Sequence, residues 1–307
     1  MTAKIILNPY ANRWQALKRK DELEEILTQK QIDYQLAVSE HPGHSIELAA
    51  NAFEQGFNPI IAAGGDSTYN EVVNGIIQAA PKSEDPAPVI FGILPMGTAN
   101  DLANNLGIPL DLEKAVDLIA HGLPKALDVC KVNDRYFVNN SAIGLETTVT
   151  VIQEKMTRVS GVFRYLLATL VAIARNPGWT MQLEWDDGSY QGPVKMVSVG
   201  NNPLTGGIFY TVPHANPFDG KLSFVYGTIR SRYEILRTLP KLMKKAEGNY
   251  IEHPKVHEFH TTHLRIHTEP DTPAHTDGEI FSYAINDLEY SILPHKIPIL
   301  LPASSEE

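Results

Sequence analysis

Two glycine turns hold most of the chemistry this sequence offers. Gly64-Gly65-Asp66-Ser67-Thr68 lies between the apolar run Ile60 to Ala63 and a segment with Val72, Val73, Ile76 and Ile77 at helical spacing. Gly97-Thr98-Ala99-Asn100-Asp101 follows a second apolar run, Val89 to Leu94. Each reads as a buried strand, a tight turn and a helix start. Glycine lets backbone N–H groups close on a ligand without interference from a Cβ. A helix start adds unsatisfied N–H groups and the positive end of its dipole. Together these make a phosphate cradle. Asp66 would repel a phosphate unless it holds Mg²⁺ through water or handles a proton. The simpler alternative makes both ordinary turns, with Asp66 or Ser67 capping the first helix, Thr98 the second, and Asp101 favouring its dipole. Two such turns in one chain, each with a hydroxyl and a carboxylate, favour one shared anionic ligand with a metal.

The elements that must position these turns alternate. Ile5 to Leu7 predicts a strand, ending at Asn8-Pro9-Tyr10-Ala11-Asn12, and a helix with Trp14, Leu17, Leu23, Ile26 and Leu27 follows. Tyr34 to Val38 is a second strand, and Ser45 can cap the helix after it. Leu112 to His121 gives one more helix. Strands alternating with helices indicate a doubly wound parallel sheet whose ligands bind at the carboxyl ends of the strands. From about Ala126 short strands separated by turns take over: Leu127 to Val132, Tyr136 to Ala142, Met181 to Trp185, Lys195 to Val199 and Leu222 to Tyr226. Asn133-Asp134, Asp187-Gly188 and Asp219-Gly220 punctuate them, as in an antiparallel sandwich. The expected domains are 1–126, α/β, and 127–307, β-sandwich, with the last residues packing back on the first domain. Ser304 to Glu307 read as a frayed tail.

At 307 residues the chain is long enough for two cores. Its 43% hydrophobic and 20% charged residues are those of a globular protein. A net charge of −10 argues against a nucleic-acid partner. The single cysteine, Cys130, rules out an internal disulfide and fits a reducing cytoplasm. The start is too short in apolar residues for a signal peptide, and Val162 to Ala174 falls short of the ~20 residues of a spanning helix.

Gly64 to Gly75 resembles the signature of the diacylglycerol-kinase catalytic domain. The stretch Gly92 to Pro109 resembles its second block, and Thr276-Asp277-Gly278-Glu279 its late acidic motif. The likeness also takes in Asn8-Pro9 and Pro42-Gly43-His44. NAD kinases and phosphofructokinases share the glycine-glycine-aspartate turn. The block Gly97 to Ala103 with Leu106-Gly107-Ile108-Pro109 is what resembles the lipid-kinase branch, kin to sphingosine and ceramide kinases. The resemblance implies a nucleotide-binding α/β domain and a β-sandwich lipid domain with the active site in the cleft between them. It implies ATP, Mg²⁺ and a lipid alcohol such as diacylglycerol. By motif, Asn8, Pro9, Tyr10, Ala11, Asn12, Ser39, Gly64, Gly65, Asp66, Ser67, Thr68, Asn70, Glu71, Gly97, Thr98 and Asp101 would serve the nucleotide. Asp277 would accept the proton, with Glu279 beside it. Asp66, Asp101 and Asp128 would surround the catalytic Mg²⁺, and Asp219, with the carbonyls of Asn216 and Lys221, a structural one. Three positions depart from the family pattern: Ser67 and Asn12 stand where glycine is usual and Ser39 where threonine is. Asparagine tolerates the left-handed backbone.

On local sequence alone Asp277-Gly278 and Asp219-Gly220 are equally good hairpin turns. His257, His260, His263 and His267 do not match a zinc spacing and read as the polar face of a strand. Arg230 to Lys245 reads as a basic amphipathic helix, kinked or divided by Pro240, that packs on the domain or rests on anionic lipid. Val162 to Ala174 reads as a core helix or the lining of an acyl-chain pocket. The expected protein is an ATP-dependent lipid kinase of the cytoplasm, transiently at the inner face of the membrane; a homodimer stays open. The alternatives are a kinase with a soluble acceptor such as NAD, or an inactive nucleotide-binding regulator.

Overall fold

The computed structural model describes residues 2–80, 88–156 and 161–303. The Pro-rich loop at 81–87 and the tail at 304–307 lie outside them. The chain forms two compact units, one of residues 1–129, 135–138 and 293–307, the other of 130–134 and 139–292.

The first unit contains β1 (Ala3–Leu7), α1 (Ala11–Lys18), α2 (Lys20–Gln29), β2 (Tyr34–Val38), α3 (His44–Glu54), β3 (Ile60–Gly64), α4 (Asp66–Ala79), β4 (Phe91–Pro95), α5 (Asp101–Asn105), α6 (Leu112–His121), the start of β5 (Leu123–Val132) and β6 (Arg135–Phe137). The strands are parallel in the order β2-β1-β3-β4, and residues 293–301 extend the sheet with Ile299 opposite Phe91. Every residue of β3 and β4 is buried, as befits central strands covered on both faces. Ile5, Leu7, Ile61, Ala63 and Leu94 share a core with Leu23 and Leu27 of α2 and Leu112 and Val116 of α6. Each such side chain contributes about 1.5–3 kcal/mol relative to exposure. α3 and α4 pack on one another and on β1 and β3. They approach at Gly75, where a Cβ would meet the Ile46 carbonyl. The strand order turns back at β1, so the carboxyl ends of β1 and β3 form a topological switch point.

Two local readings are corrected. The first helix divides at Arg19, and its opening residues Asn12, Arg13 and Trp14 are left-handed (φ 50°, 55° and 69°), which cannot propagate a right-handed ladder. Trp14 and Leu17 are consequently exposed. Ser45 does not cap α3. Gly43, at φ 83°, holds that position, and the Glu71 carboxylate accepts from its amide at 2.9 Å.

The second unit contains β7 (Asn140–Gly144), α7 (Leu145–Glu154), α8 (Gly161–Arg175), β8 (Trp179–Trp185), β9 (Gly188–Val194), β10 (Met196–Gly200), the short pair β11 (Leu204–Thr205) and β12 (Phe209–Tyr210), β13 (Leu222–Gly227), α9 (Arg232–Thr238), β14 (Val256–Thr261), β15 (His263–Thr276) and β16 (Glu279–Leu301), which belongs here up to Ile292. All these strands pair antiparallel. One layer runs β14-β13-β10-β7-β15-β16, while the first half of β15 also pairs with β8 and, through it, β9. An irregularity between His267 and Thr272 lets the one long strand serve both layers. Trp185 of β8 packs on Phe224 and Phe259 of β13 and β14, with ring centroids at 5.4 and 4.7 Å. The expected strand Tyr136 to Ala142 is two, β6 and β7, because Val138 and Asn139 leave the ladder. Pro240 divides the basic segment as expected: α9 ends at Thr238 and a 3₁₀ turn, Leu239–Met243, follows. The four histidines have separate partners, His257 tilted against the Tyr226 ring and the others beside Ser223, Thr262 and Asp287.

Asp186, in the β8–β9 turn, fastens the β14–β15 corner. Its Oδ2 accepts from the Thr262 amide at 2.6 Å and from the Thr261 and Thr262 hydroxyls at 2.8 Å each. These bonds, the amide first, hold its pKa down at about 2. The folded pKa lies below the unfolded one, so the stabilisation is present above pH 3.8 and fades as pH falls toward 2. Asp186→Ala is expected to cost about 1–2 kcal/mol at neutral pH, limited by the water that reaches the site. It should also flatten the loss of stability between those pH values. Urea unfolding at pH 7 and pH 3 measures both.

Candidate active site

The carboxyl ends of β1, β3 and β4 gather the first group of expected residues. After β1, Asn8 accepts from the Tyr10 amide and donates through Nδ2 to Thr68 Oγ1, both at 3.0 Å. The Asn8-Pro9-Tyr10 turn is thereby fastened to the first turn of α4. Tyr10 donates its hydroxyl to the Glu40 carbonyl at 2.9 Å, and the Ser39 amide donates to Leu7 O at 2.9 Å. The Ser39 loop thus lies beside the same strand end. Asn12, left-handed as its residue type permits, accepts from the Thr98 hydroxyl at 3.2 Å. Thr98 therefore braces the Asn8–Asn12 loop and does not cap α5.

The two glycine turns touch backbone to backbone. A Cβ on Gly97 would stand 2.5 Å from Gly65 Cα, and one on Gly64 would fall on the Thr68 side chain. The Met96 amide donates to Gly64 O at 2.7 Å. Asn100, left-handed at φ 50°, accepts from the Gly97 amide at 3.0 Å and donates to the Gly97 carbonyl at 3.2 Å. Buried Tyr69 donates to Gly64 O at 2.9 Å and lies 3.2 Å from Asn100 Oδ1. Burial, helped by the Asp66 charge, pushes the Tyr69 pKa well above 10, so it stays a donor. Asn100 and Tyr69 latch the two turns. Only the tolerance of asparagine for a left-handed backbone marks Asn100 in the sequence.

Asp66 does not cap its own helix. Gly65 is the N-cap of α4 and makes no side-chain bond, whereas Asp66 Oδ1 accepts from the Leu102 amide at 3.0 Å, at the start of α5. The aspartate of the first turn thus holds the helix of the second. Close packing pushes its pKa up, while the amides of Leu102, Asp101, Asp66 and Asn100 pull the other way. Asp101, buried, is the residue before Leu102 in the chain. Ser67 is half-buried in the first turn of α4. Asn70 donates to the Tyr136 carbonyl at 2.9 Å, and Glu71 is engaged at Gly43. Asp128, fully buried on β5, accepts from the His295 amide at 2.6 Å.

Among the described residues no three His, Cys, Asp or Glu side chains converge as a cation site. Mg²⁺ is ordinarily held by one or two carboxylates plus phosphate oxygens and water. Asp66 and Asp101, two carboxylates at the glycine turns, are of the type that donor set calls for.

In the second unit Asp277 and Gly278 are both left-handed (φ 45° and 83°), forming the two-residue turn between β15 and β16. Asp277 is buried, and its Oδ1 accepts from the Asn139 and Asn140 amides at 3.0 and 2.8 Å. Its carboxylate is aimed by the backbone that starts β7, and Glu279 beside it is exposed. Asp219 accepts from the Lys221 amide at 2.9 Å and Asn216 from the Phe218 amide at 3.2 Å, so both side chains serve their own turn.

The same unit holds a cavity of ≈ 700 Å³ including its open mouth, with α7, α8, α9 and the following 3₁₀ turn in its walls. Its lining is mostly apolar, from Leu145, Val149, Ile173, Ile229, Ile235 and Leu242 among others. Lys195, Thr169, Thr211 and Thr238 are polar members of the lining, and so is Glu146. The Glu146 carboxylate accepts from Asn140 Nδ2 at 3.3 Å and from the Ser198 hydroxyl, with His275 Nε2 at 3.7 Å. The local sequence marks only the α8 wall of this cavity, within Val162 to Ala174; the other walls come from segments spread between Leu145 and Val256.

The model of the diacylglycerol kinase catalytic domain matches residues 2–132, and that of the YegS C-terminal NAD kinase beta sandwich-like domain matches residues 140–301. A diacylglycerol kinase of Staphylococcus saprophyticus is 30% identical over 281 residues, covering 90% of this chain and 88% of the relative. One from Staphylococcus carnosus is 29% identical with the same coverage. A crystal structure of a diacylglycerol kinase from Bacillus anthracis aligns with a TM-score of 0.75 at 20% identity, covering 99% of this chain and 97% of the other.

Proposed function

Because the chain belongs to the diacylglycerol kinase family and is a lipid kinase, we propose that it transfers the γ-phosphoryl group of ATP to the hydroxyl of diacylglycerol or a related lipid alcohol. The observation that carries the nucleotide half of this reading is the contact between the two glycine turns at the carboxyl ends of β3 and β4. Residues 1–126 then act as the nucleotide-binding part and 127–307 as the lipid part.

In this reading the amides of Gly64, Gly65 and Gly97 receive the phosphates, with Ser67, Thr68 and Thr98 adding hydroxyls. The Asn8–Asn12 loop and Ser39 border the nucleotide, and Asn70 and Glu71 keep α4 and α3 in place behind it. Mg²⁺ held by Asp66 and Asp101, with Asp128 as a further acid, supplies neutralisation of charge on the phosphate oxygens. Asp277 takes the proton from the lipid hydroxyl as its oxygen bonds to the γ-phosphorus and the bond to the β-phosphate oxygen breaks. Glu279 adds negative charge beside it. Asp219 serves a structural cation with the carbonyls of Asn216 and Lys221. The apolar cavity takes a hydrocarbon chain of the acceptor, with Tyr165, Thr169 and Ile173 of α8 along it. No helix among the described residues is long and apolar enough to cross a membrane. In this reading the enzyme works in the cytoplasm and meets its substrate transiently at the inner face.

The test is transfer of label from ATP, with Mg²⁺, to a panel of lipids in mixed micelles and to soluble acceptors including NAD. A labelled phospholipid monoester is the expected product. Label on a soluble acceptor alone would overturn the lipid reading, and ATP binding without any turnover would mark a regulator.

A further inference from the structure

Glu146 is an acid that the proposed reaction does not use, and its place in the fold is an unfavourable one. It lines the cavity, yet its side chain is only 8% exposed. Burying a carboxylate is costly unless hydrogen bonds hold it. Burial, and after it the Glu146 charge, push up the pKa of Tyr165 and Tyr250, two other residues of the cavity wall. The Glu146 charge is thus felt through that wall.

Its bonds run to three neighbouring strands. Glu146 stands in the first turn of α7, directly after β7, where the helix dipole favours an acid. In the order β10-β7-β15, Ser198 and His275 lie opposite Ala142 from either side. Asn140, two residues before Ala142, shares its face of the sheet. Glu146 reaches all three: Oε2 accepts from the Ser198 hydroxyl and Oε1 from Asn140 Nδ2 at 3.3 Å, with His275 Nε2 at 3.7 Å. Those three residues are fully or almost fully buried. Asn140 carries the hold onward to the β15–β16 turn. Its amide donates to Asp277 Oδ1 at 2.8 Å, and its carbonyl accepts from the Asp277 amide at 2.7 Å. One residue is therefore bonded to Asp277 twice by its backbone and to Glu146 by its side chain. We propose that Glu146 is a positioning residue, which fixes Asp277 through Asn140 and fixes it more firmly when a hydrocarbon chain fills the cavity. The chain displaces water from the carboxylate, and hydrogen bonds strengthen as the local dielectric falls. Binding of a part of the acceptor that does not react thereby orders the group that takes its proton. The proposal deepens the lipid-kinase reading and rests on Asp277 as proton acceptor, so its first test is read without turnover.

Hydrogen exchange at the Asn139 and Asn140 amides is followed by mass spectrometry in detergent micelles, with and without dioleoylglycerol and without nucleotide. In the unaltered protein the lipid should slow exchange at both about threefold or more. Glu146→Leu should speed it about tenfold and abolish the effect of the lipid. Glu146→Gln, whose amide oxygen can still accept from Asn140, should restore most of both. Ser198→Ala removes a single donor and should act in the same direction by less. Thermal melts, and exchange in the β8–β9 hairpin, show whether the rest of the unit is intact. In the kinase assay Glu146→Leu should lower kcat about 10–10²-fold and leave the KM for ATP in place. Added to Asp277→Asn it should lower kcat no further, because it acts through that residue. Exchange indifferent to Glu146→Leu and Ser198→Ala, or raised equally throughout the unit, would overturn the proposal. So would a lipid effect that is absent from the unaltered protein or survives Glu146→Leu, and so would an additive loss in the double variant. Exchange as expected with full turnover by Asp277→Asn would remove the base reading and leave the hold of Glu146 on the turn standing.

Discussion

Asp277→Asn is expected to lower turnover on lipid by about 10²–10⁴-fold, the range a positioned general base contributes. The substitution is well matched to the site. Asparagine keeps an Oδ1 that can accept from the Asn139 and Asn140 amides, now at 3.0 and 2.8 Å, and it tolerates the left-handed backbone of the turn. The melting temperature should move by only a few degrees and the KM for ATP should hold, so the loss falls on kcat. Asp277→Ala is a poorer probe, because it strips a buried acceptor from two amides at about 1–3 kcal/mol for each group left unsatisfied. Rates in mixed micelles, with melts of the same preparations, decide the matter. If Asp277→Asn turns over like the unaltered enzyme, the residue is a turn anchor and the base lies elsewhere.

Gly97→Ala should weaken nucleotide binding strongly. The added Cβ would stand 2.5 Å from Gly65 Cα and 2.7 Å from Asn100 Oδ1. The nearest neighbour is backbone and cannot swing aside. Relief requires the two glycine turns to part, and that parting moves the amides proposed to receive the phosphates. Overpacking of this kind costs about 1–3 kcal/mol, so the variant should still fold while ATP affinity falls about tenfold or more. Gly107→Ala is the comparison. At φ 68° with open space around it, it carries conformational strain alone and should weaken folding by about 1 kcal/mol while leaving nucleotide affinity intact. Calorimetric titration with ATP, beside urea unfolding, separates the two. Equal affinities for both variants would remove the contact between the turns from the nucleotide site.

The parallel sheet was legible where side-chain pattern and turn chemistry agreed. Tyr34–Val38 and Leu112–His121 have the bounds their patterns predict, the latter with Asp111 accepting from Lys114 as its cap. Pro240 divides its helix for the reason any internal proline does. Legibility failed where a side chain left its own neighbourhood. Asp66 looked like a cap for α4 because aspartate at a helix start usually is one, yet its acceptor went to Leu102. Thr98 likewise went to Asn12 and Glu71 to Gly43. Such exchanges depend on which loops the sheet order brings together. The single strand read at Tyr136 to Ala142 failed for a related reason, since the amide of Asn139 serves Asp277. The cavity was half visible: the apolar character of α8 was plain in sequence, but Glu146 and its hold on Ser198 came only with the folded sheet.

The chain crosses from one unit to the other and back, and this has a consequence for its synthesis. Residues 293–301 lie against β4, Ile299 opposite Phe91, and the His295 amide reaches buried Asp128. Residues 293–301 are made by the ribosome only after the whole second unit has been made. Domains commonly fold in the order of their synthesis, but here the earlier-made sheet lacks its last strand until the later domain is finished. The unit carrying the glycine turns is then completed last, and the long sequence separation of that closing strand makes the step slow. A growing chain would hold β4 as an open apolar edge throughout, the kind of surface chaperones attend. The glycine turns proposed to hold nucleotide would thus belong to a complete sheet only once the second unit has been made.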